Sequence, residues 1–282
     1  MDMTIDICPL APALGAEVRG ADLSRPLPDD AFVRIKQAHL DHSVLVFRDQ
    51  HLTPEQHIAF SQRFGDLHIH MLDQYLMAGH PEILVLSNIK EGGRALGIED
   101  AGRYWHSDVT YEEEPPLGSL LYGAEVPPQG GDTLFVSMYA AYEALDTATK
   151  RRIAGLRARH RYNIDKERQR HGKIQVTDAQ AAALKEVSHP VVRTHPESGR
   201  KALYVNPGFT IGIEGLAETE GAALLEELFG HNDDARFQYR HVWRQHDLVF
   251  WDNRCVMHQA TGYDPSHTRH MLRTTVKGDR PF

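Results

Sequence analysis

A chain of 282 residues with 41% hydrophobic and 25% charged side chains can bury one large core or two modest ones, which excludes disordered and collagen-like classes. Its formal net charge of −8 gives no basis for binding nucleic acid phosphates and leaves room only for a local basic pocket that takes a small anion. The two cysteines, Cys8 and Cys255, fit reduced thiols and cannot form a zinc-finger set, so any metal must be held by histidines and carboxylates.

The opening "MDMTIDICPLAPALG" carries acid where a secretory signal needs base, and nowhere do eighteen apolar residues follow one another, so the expectation is a cytoplasmic protein. "IDICPL" and "GAEVRGADL" read as a strand pair. Pro28-Asp29-Asp30 then starts an amphipathic helix, "AFVRIKQAHLDH", and "SVLVF" is a buried strand. Thr53 as N-cap with Pro54 at the first helical position opens a second helix, "EQHIAFSQRFG", expected to end at Gly65. "EILVLSN", "GSLLYGAEVP" and "GDTLFVS" suit strands, and "MYAAYEALDTATKRRIAGL" reads as one helix.

The polar stretch "NIDKERQRHGKIQVTDAQAAALKEV", about 163–187, breaks the strand rhythm and reads as a lid-like insertion in a single domain spanning 1–282. Strands in "HPVVRTH" and "GRKALYVN" follow, then a helix "TEGAALLEELFG" stopped at Gly230. "FQYRHVW", "DLVFW", "VMHQA" and "HMLRTTVKG" return to strands, separated by turn residues. Many short strands with few helices predict a mainly β fold with flanking helices, a sandwich or barrel of the jelly-roll type.

Within "YWHSDVTY", His106 and Asp108 stand two apart. The pattern alone discriminates little, since the chain has 18 histidines and also contains His39-x-Asp41, His231-x-Asp233, His80-x-Glu82 and His195-x-Glu197. On a strand, residues i and i+2 face the same way, whereas on a helix they diverge. His39 and Asp41 fall in a helical pattern. His231 and Asp233 sit just past a helix end, and the two His-Pro-Glu pairs lie in loop-like surroundings. Only His106 and Asp108 occupy a strand-like run, and the alternative for them is a solvated or salt-bridged pair.

A third ligand is available in His258, on "CVMHQA", although a histidine under a turn is the plainer reading of that residue alone. Two histidines and one carboxylate can occupy one face of an octahedral Fe(II) and leave three adjacent positions open, as a 2-oxo acid and dioxygen require. A closed four-ligand zinc site offers none of this. The far carboxylate of 2-oxoglutarate needs a planar cationic fork and a hydroxyl beside it, and the candidates are Arg269 and Thr133, the latter in "QGGDTLF". Arg273, four residues past Arg269, falls on the same strand face. Each arginine taken singly reads equally as a surface ion pair.

Together "WHSDVTYEEEPP", "GGDTLFVSMYAAYEAL", "HPVVRTHPESGRKALYVNPGF", "FGDLHIH" and "WDNRCVMHQATGYDPSHTRHMLRTTVKGDRPF" resemble the taurine dioxygenase and 2,4-dichlorophenoxyacetate dioxygenase family of Fe(II)/2-oxoglutarate-dependent oxygenases, from about residue 5 to the end. The resemblance implies a double-stranded β-helix, a homodimer or homotetramer, an iron triad of His106, Asp108 and His258, and cosubstrate contacts at Thr133 and Arg269. It implies substrate contacts at His70, Phe209 and Arg273. Asp73 and Gly102 stand where the taurine enzyme has a tyrosine and an asparagine, and "NIDKERQRHG" lacks the apolar side chains that line the taurine pocket, which points away from taurine itself.

The implied reaction uses Fe(II), 2-oxoglutarate and dioxygen to hydroxylate an aliphatic carbon of a small anion: a sulfonate, an aryloxyalkanoate or an alkyl sulfate, often with fragmentation of the product. Trp251 either shields the iron or packs in the core. Two rival readings remain open: a zinc hydrolase on the same three ligands, and a non-catalytic protein of this fold that binds 2-oxoglutarate or metal.

Overall fold

The computed structural model describes residues 4–99, 101–162 and 176–282. The fold is mainly β. Its largest element is an eight-stranded sheet in the order Asp6–Pro9, Ala16–Arg19, Val44–Phe47, Leu248–Asp252, Gly118–Glu125, His270–Val276, His80–Ser87 and Leu76–Met77. All neighbours in it are antiparallel except Ala16–Arg19 with Val44–Phe47. A three-stranded sheet orders Gln238–His241, Thr133–Ser137 and Val256–Ala260, and another orders Val187–Pro190, Arg157–His160 and Thr210–Ile213.

Strand alternation sorts the core into two layers. Leu45, Phe47, Leu120, Tyr122, Phe250 and Leu272 point to one face of the large sheet and pack with Ile35 and Phe60 of the helices Asp29–His42 and Pro54–Gln62. Val44, Val46, Leu84, Leu121, Val249 and Met271 point to the other face and pack against Phe135, Val136, Val256 and Met257 of the first three-stranded sheet. Arg273, at the same parity as Met271, therefore projects between the two sheets.

The strands expected outside "YWHSDVTY" form, and Thr53 caps the second helix in a capping box, its hydroxyl accepting from Gln56 N while the Gln56 side chain accepts from Thr53 N. Four expectations need correction. The second helix stops at Gln62, short of Gly65. "MYAAYEALDTATKRRIAGL" forms two helices, Met138–Ala144 and Thr147–Ile153, because the Asp146 side chain accepts from Thr149 N and starts a new helix there. Gly230 does not end its helix, which runs from Glu218 to Asn232, so His231 lies in the last turn, where its Nε2 donates to Ala141 O. His80 and Glu82 stand at the start of a strand, where a loop was expected.

Of the stretch read as a lid, 163–175 lies outside the described residues. The remainder contains the helix Asp178–Ala183, tied down by the Gln180 side-chain amide, which donates to Met71 O at 2.7 Å, Asp73 Oδ1 at 3.1 Å and Gln74 Oε1 at 3.2 Å. Among the described residues, no helix is long and apolar enough to cross a membrane.

Candidate active site

His258 is carried by the strand Val256–Ala260, and His106 is stitched to it by a single bridge. His106 N donates to His258 O at 3.1 Å and His258 N donates to His106 O at 2.8 Å. The strand expected through Asp108 does not form: pairing ends at His106, and Asp108 sits in a turn that continues through Val109 at φ +54°. The pair still converges, because the turn swings the carboxylate back towards the histidines.

His106 Nε2 lies 3.8 Å from Asp108 Oδ1, and His258 Nε2 lies 3.9 Å from Asp108 Oδ2. All three residues are buried, and no fourth His, Cys, Asp or Glu joins the group among the described residues. His106 Nδ1 donates to Tyr104 O at 2.8 Å, which leaves Nε2 with its lone pair facing Asp108. Burial lowers the pKa of both histidines, so both imidazoles are neutral as a metal requires.

Asp108 is buried, which alone would raise its pKa, but the Arg273 charge, helped by the Ser119 hydrogen bond, outweighs that and holds its carboxyl well below the usual range. Arg273 NH1 donates to Asp108 Oδ1 at 2.7 Å, and Ser119 Oγ donates to Asp108 Oδ2 at 2.7 Å. Asn253 stands behind them: its Oδ1 accepts from Asp108 N and from Trp251 Nε1, and its Nδ2 donates to Ser119 Oγ at 3.1 Å. The donor set, the locked tautomer and the ionised carboxylate all fit a divalent cation of the Fe(II) type. The pair of imidazoles and one carboxylate leaves room on the ion for other ligands.

A small cavity of about 70 Å³ opens beside His106 and Asp108. Its wall is formed by Leu72, Leu84, Leu86, Ile98, Tyr111, Tyr162 and Phe209, with His70 and Arg273 as its polar contributions besides the metal ligands. Leu72 N donates to His70 Nδ1 at 3.2 Å, so the ring proton sits on Nε2. Burial, then the nearby Arg273 charge, pushes the His70 pKa down to about 3, which makes it a neutral donor. Gly102 also lines the cavity, at φ +73°, and a Cβ there would lie 3.0 Å from His106 Cε1. Asp73 does not line it; it is exposed and accepts from Gln180.

Thr133 and Arg269 lie on another side of His258. Thr133 pairs with Ala260, so its side chain shares a sheet face with His258, two residues along the neighbouring strand. Arg269 precedes its strand by one residue, and its Nε and Cδ lie 3.3 and 3.5 Å from where a Cβ on Gly131 would stand, a tight approach at a residue whose φ of +67° favours glycine. Asn88 fixes the Arg269 main chain by accepting from Arg269 N and donating its own N–H to Arg269 O.

Trp251 is buried in the core with its ring 4.6 Å from that of His258. Sequence reasoning missed Ser119, Asn253 and Trp243. A serine inside an apolar strand and a tryptophan just past the end of one carry no spacing signal, and Asn253 in "WDNR" reads as an ordinary turn residue. The second buried group within ligand reach, His195, Asp252 and Cys255, is an ion-pair centre: Arg254 donates to both Asp252 oxygens, and His195 Nδ1 already accepts from the backbone of Glu197 and Ser198.

Comparison with known proteins points the same way. The family model described as "Taurine catabolism dioxygenase TauD, TfdA family" matches residues 6–275. The chain is 37% identical over 287 residues to an alpha-ketoglutarate-dependent 2,4-dichlorophenoxyacetate dioxygenase of Cupriavidus pinatubonensis, covering 98% of this chain and 99% of the relative. It is 34% identical to an (S)-phenoxypropionate/alpha-ketoglutarate-dioxygenase of Sphingobium herbicidovorans, covering 99% and 97%. A crystal structure of a taurine dioxygenase from Burkholderia xenovorans superposes with a TM-score of 0.84 at 35% identity, over 98% of this chain and 90% of the other.

Proposed function

The chain belongs to the TauD/TfdA family of taurine catabolism dioxygenases, and from that membership we propose that it is an Fe(II)- and 2-oxoglutarate-dependent dioxygenase that hydroxylates an aliphatic carbon of a small organic anion. The observation that carries this reading is the buried two-histidine, one-carboxylate set beside an apolar cavity that holds a guanidinium. His106, Asp108 and His258 hold the iron, Thr133 and Arg269 hold the far carboxylate of 2-oxoglutarate, and His70, Phe209 and Arg273 receive the substrate. With Fe(II), 2-oxoglutarate and dioxygen bound, the centre supplies an oxidant able to take hydrogen from an unactivated carbon, while 2-oxoglutarate becomes succinate and carbon dioxide.

The chain's own residues set what is oxidised and where. Arg273, pinned through NH1 to Asp108 and lining the cavity, binds the substrate anion with the rest of its guanidinium at a fixed distance from the metal ligands. His70 Nε2–H is a second, neutral donor to that anion. Tyr111 meets Tyr162 and Phe209 edge to face, each with ring centroids 5.0 Å apart, and the three rings keep water from the substrate body. A hydroxyl placed on a carbon that bears an ether, sulfonate or sulfate group gives a product that collapses, so aryloxyalkanoates, sulfonates and alkyl sulfates form the substrate panel. The reading extends to a double-stranded β-helix in one domain and a homo-oligomeric cytoplasmic protein.

The test is succinate formation in air with Fe(II) and 2-oxoglutarate across that panel, with one succinate per product from the right substrate. Arg273→Ala raises the KM for substrate far more than the KM for 2-oxoglutarate; equal rises count against the assignment. Turnover without dioxygen or 2-oxoglutarate would identify a zinc hydrolase instead, and ligand-induced stabilisation without succinate a binding protein.

A further inference from the structure

We infer that Trp243 is a positioning residue for the cosubstrate, fixing the direction in which the Thr133 hydroxyl donates. The inference rests on the reading that Thr133 and Arg269 hold the far carboxylate of 2-oxoglutarate. Trp243 Nε1 lies 3.0 Å from Thr133 Oγ1, and both residues are buried. An indole N–H can only donate, whereas a threonine hydroxyl has one hydrogen and two lone pairs. Trp243 therefore occupies a lone pair of Thr133 and leaves the single hydroxyl hydrogen for another acceptor. A carboxylate, which only accepts, is the partner that this polarity suits.

The indole cannot swing away to release the hydroxyl. Its ring packs edge-on against His241 at 4.6 Å and 87°, and His241 is the strand partner of Thr133. Gly123 also stands against the ring, so close that a Cβ there would come within 3.3 Å of Trp243 Cε3. Without Trp243 the hydroxyl is free to turn its hydrogen elsewhere, and the cosubstrate meets a lone pair in a fraction of the molecules.

The experiment measures binding of 2-oxoglutarate to the Zn(II)-loaded protein by calorimetry, with oxalate as a probe that reaches the metal but not Thr133. Thr133→Val weakens 2-oxoglutarate about tenfold or more, as loss of a charge-assisted hydrogen bond does. Trp243→Phe weakens it severalfold, leaves oxalate unchanged, and has no further effect in the Thr133→Val background, the signature of a coupled pair. In the unsubstituted protein, one of the three indole N–H resonances, the one displaced by Thr133→Val, moves on adding 2-oxoglutarate and not on adding oxalate. Thr133→Val without effect on 2-oxoglutarate overturns the cosubstrate assignment itself. A full Thr133→Val loss combined with an additive, absent or oxalate-shared effect of Trp243→Phe, or with an unmoved indole resonance, overturns only the role of Trp243.

Discussion

Replacing Arg273 by methionine should have opposite effects on the metal-free fold and on metal affinity. The guanidinium is buried and donates to Asp108 at 2.7 Å, so its removal strands a buried carboxylate. Breaking such a pair costs about 3–5 kcal/mol, and the surviving Ser119 hydrogen bond argues for the lower end. For a chain of this size each kcal/mol moves Tm by about 2–4 °C, so the metal-free variant should melt about 6–12 °C lower. The dication gains from the same change. At an effective dielectric of about 20, a unit cation hydrogen-bonded to a carboxylate ligand of a divalent ion opposes that ion by several kcal/mol, of which solvent and the more basic Asp108 return part. Mn(II) should therefore bind the variant at least about tenfold more tightly. Thermal denaturation of the chelated protein and Mn(II) titration read the two effects separately. An unchanged Tm together with unchanged or weaker Mn(II) binding would show that Arg273 does not compensate Asp108 in solution.

Ser119→Ala removes the donor to Asp108 Oδ2 and the acceptor of Asn253 Nδ2 together, and it should weaken Mn(II) binding by about 10-fold or more without altering the apolar cavity wall. His39 and His57 are buried and held neutral, their pKa values pushed down to about 4 by desolvation. Each unfolded histidine titrates near 6.5, so below that pH the unfolded chain binds protons that the native state refuses. Stability should then fall as pH drops from about 6.5 towards 4, by about 2 kcal/mol per histidine at pH 5. Urea denaturation at pH 7 and pH 5 measures this, and His57→Gln should flatten the slope by nearly one proton; an undiminished slope contradicts the buried neutral state.

The strands and both N-terminal helices were legible because alternation and capping act locally: Thr53, Pro54 and Gln56 specify a helix start by themselves. Convergence of His106, Asp108 and His258 was also legible, although the reason offered for it was wrong. A strand was expected to align His106 with Asp108, whereas a single bridge and a turn with Val109 at positive φ do so. The error arose because aromatic and β-branched residues around the pair carry β propensity that the surrounding packing overrides. The Arg273–Asp108 contact was not legible, since it joins residues 165 apart. Nor was the Trp243–Thr133 hydrogen bond, across 110 positions, because neither residue type announces its partner. Asp73, which stands where the taurine enzyme has a tyrosine, is a solvated residue that holds a neighbouring helix.

The reciprocal main-chain bonds between His106 and His258 set the spacing of two ligands through the backbone, with no ion needed to draw them together. In small zinc domains the polypeptide collapses around its metal and falls open when a chelator removes it. Here the entropy of bringing distant segments together is already spent on sheet formation. Loss of iron during a working life should leave a folded vessel that recovers by simple reloading, without help from chaperones.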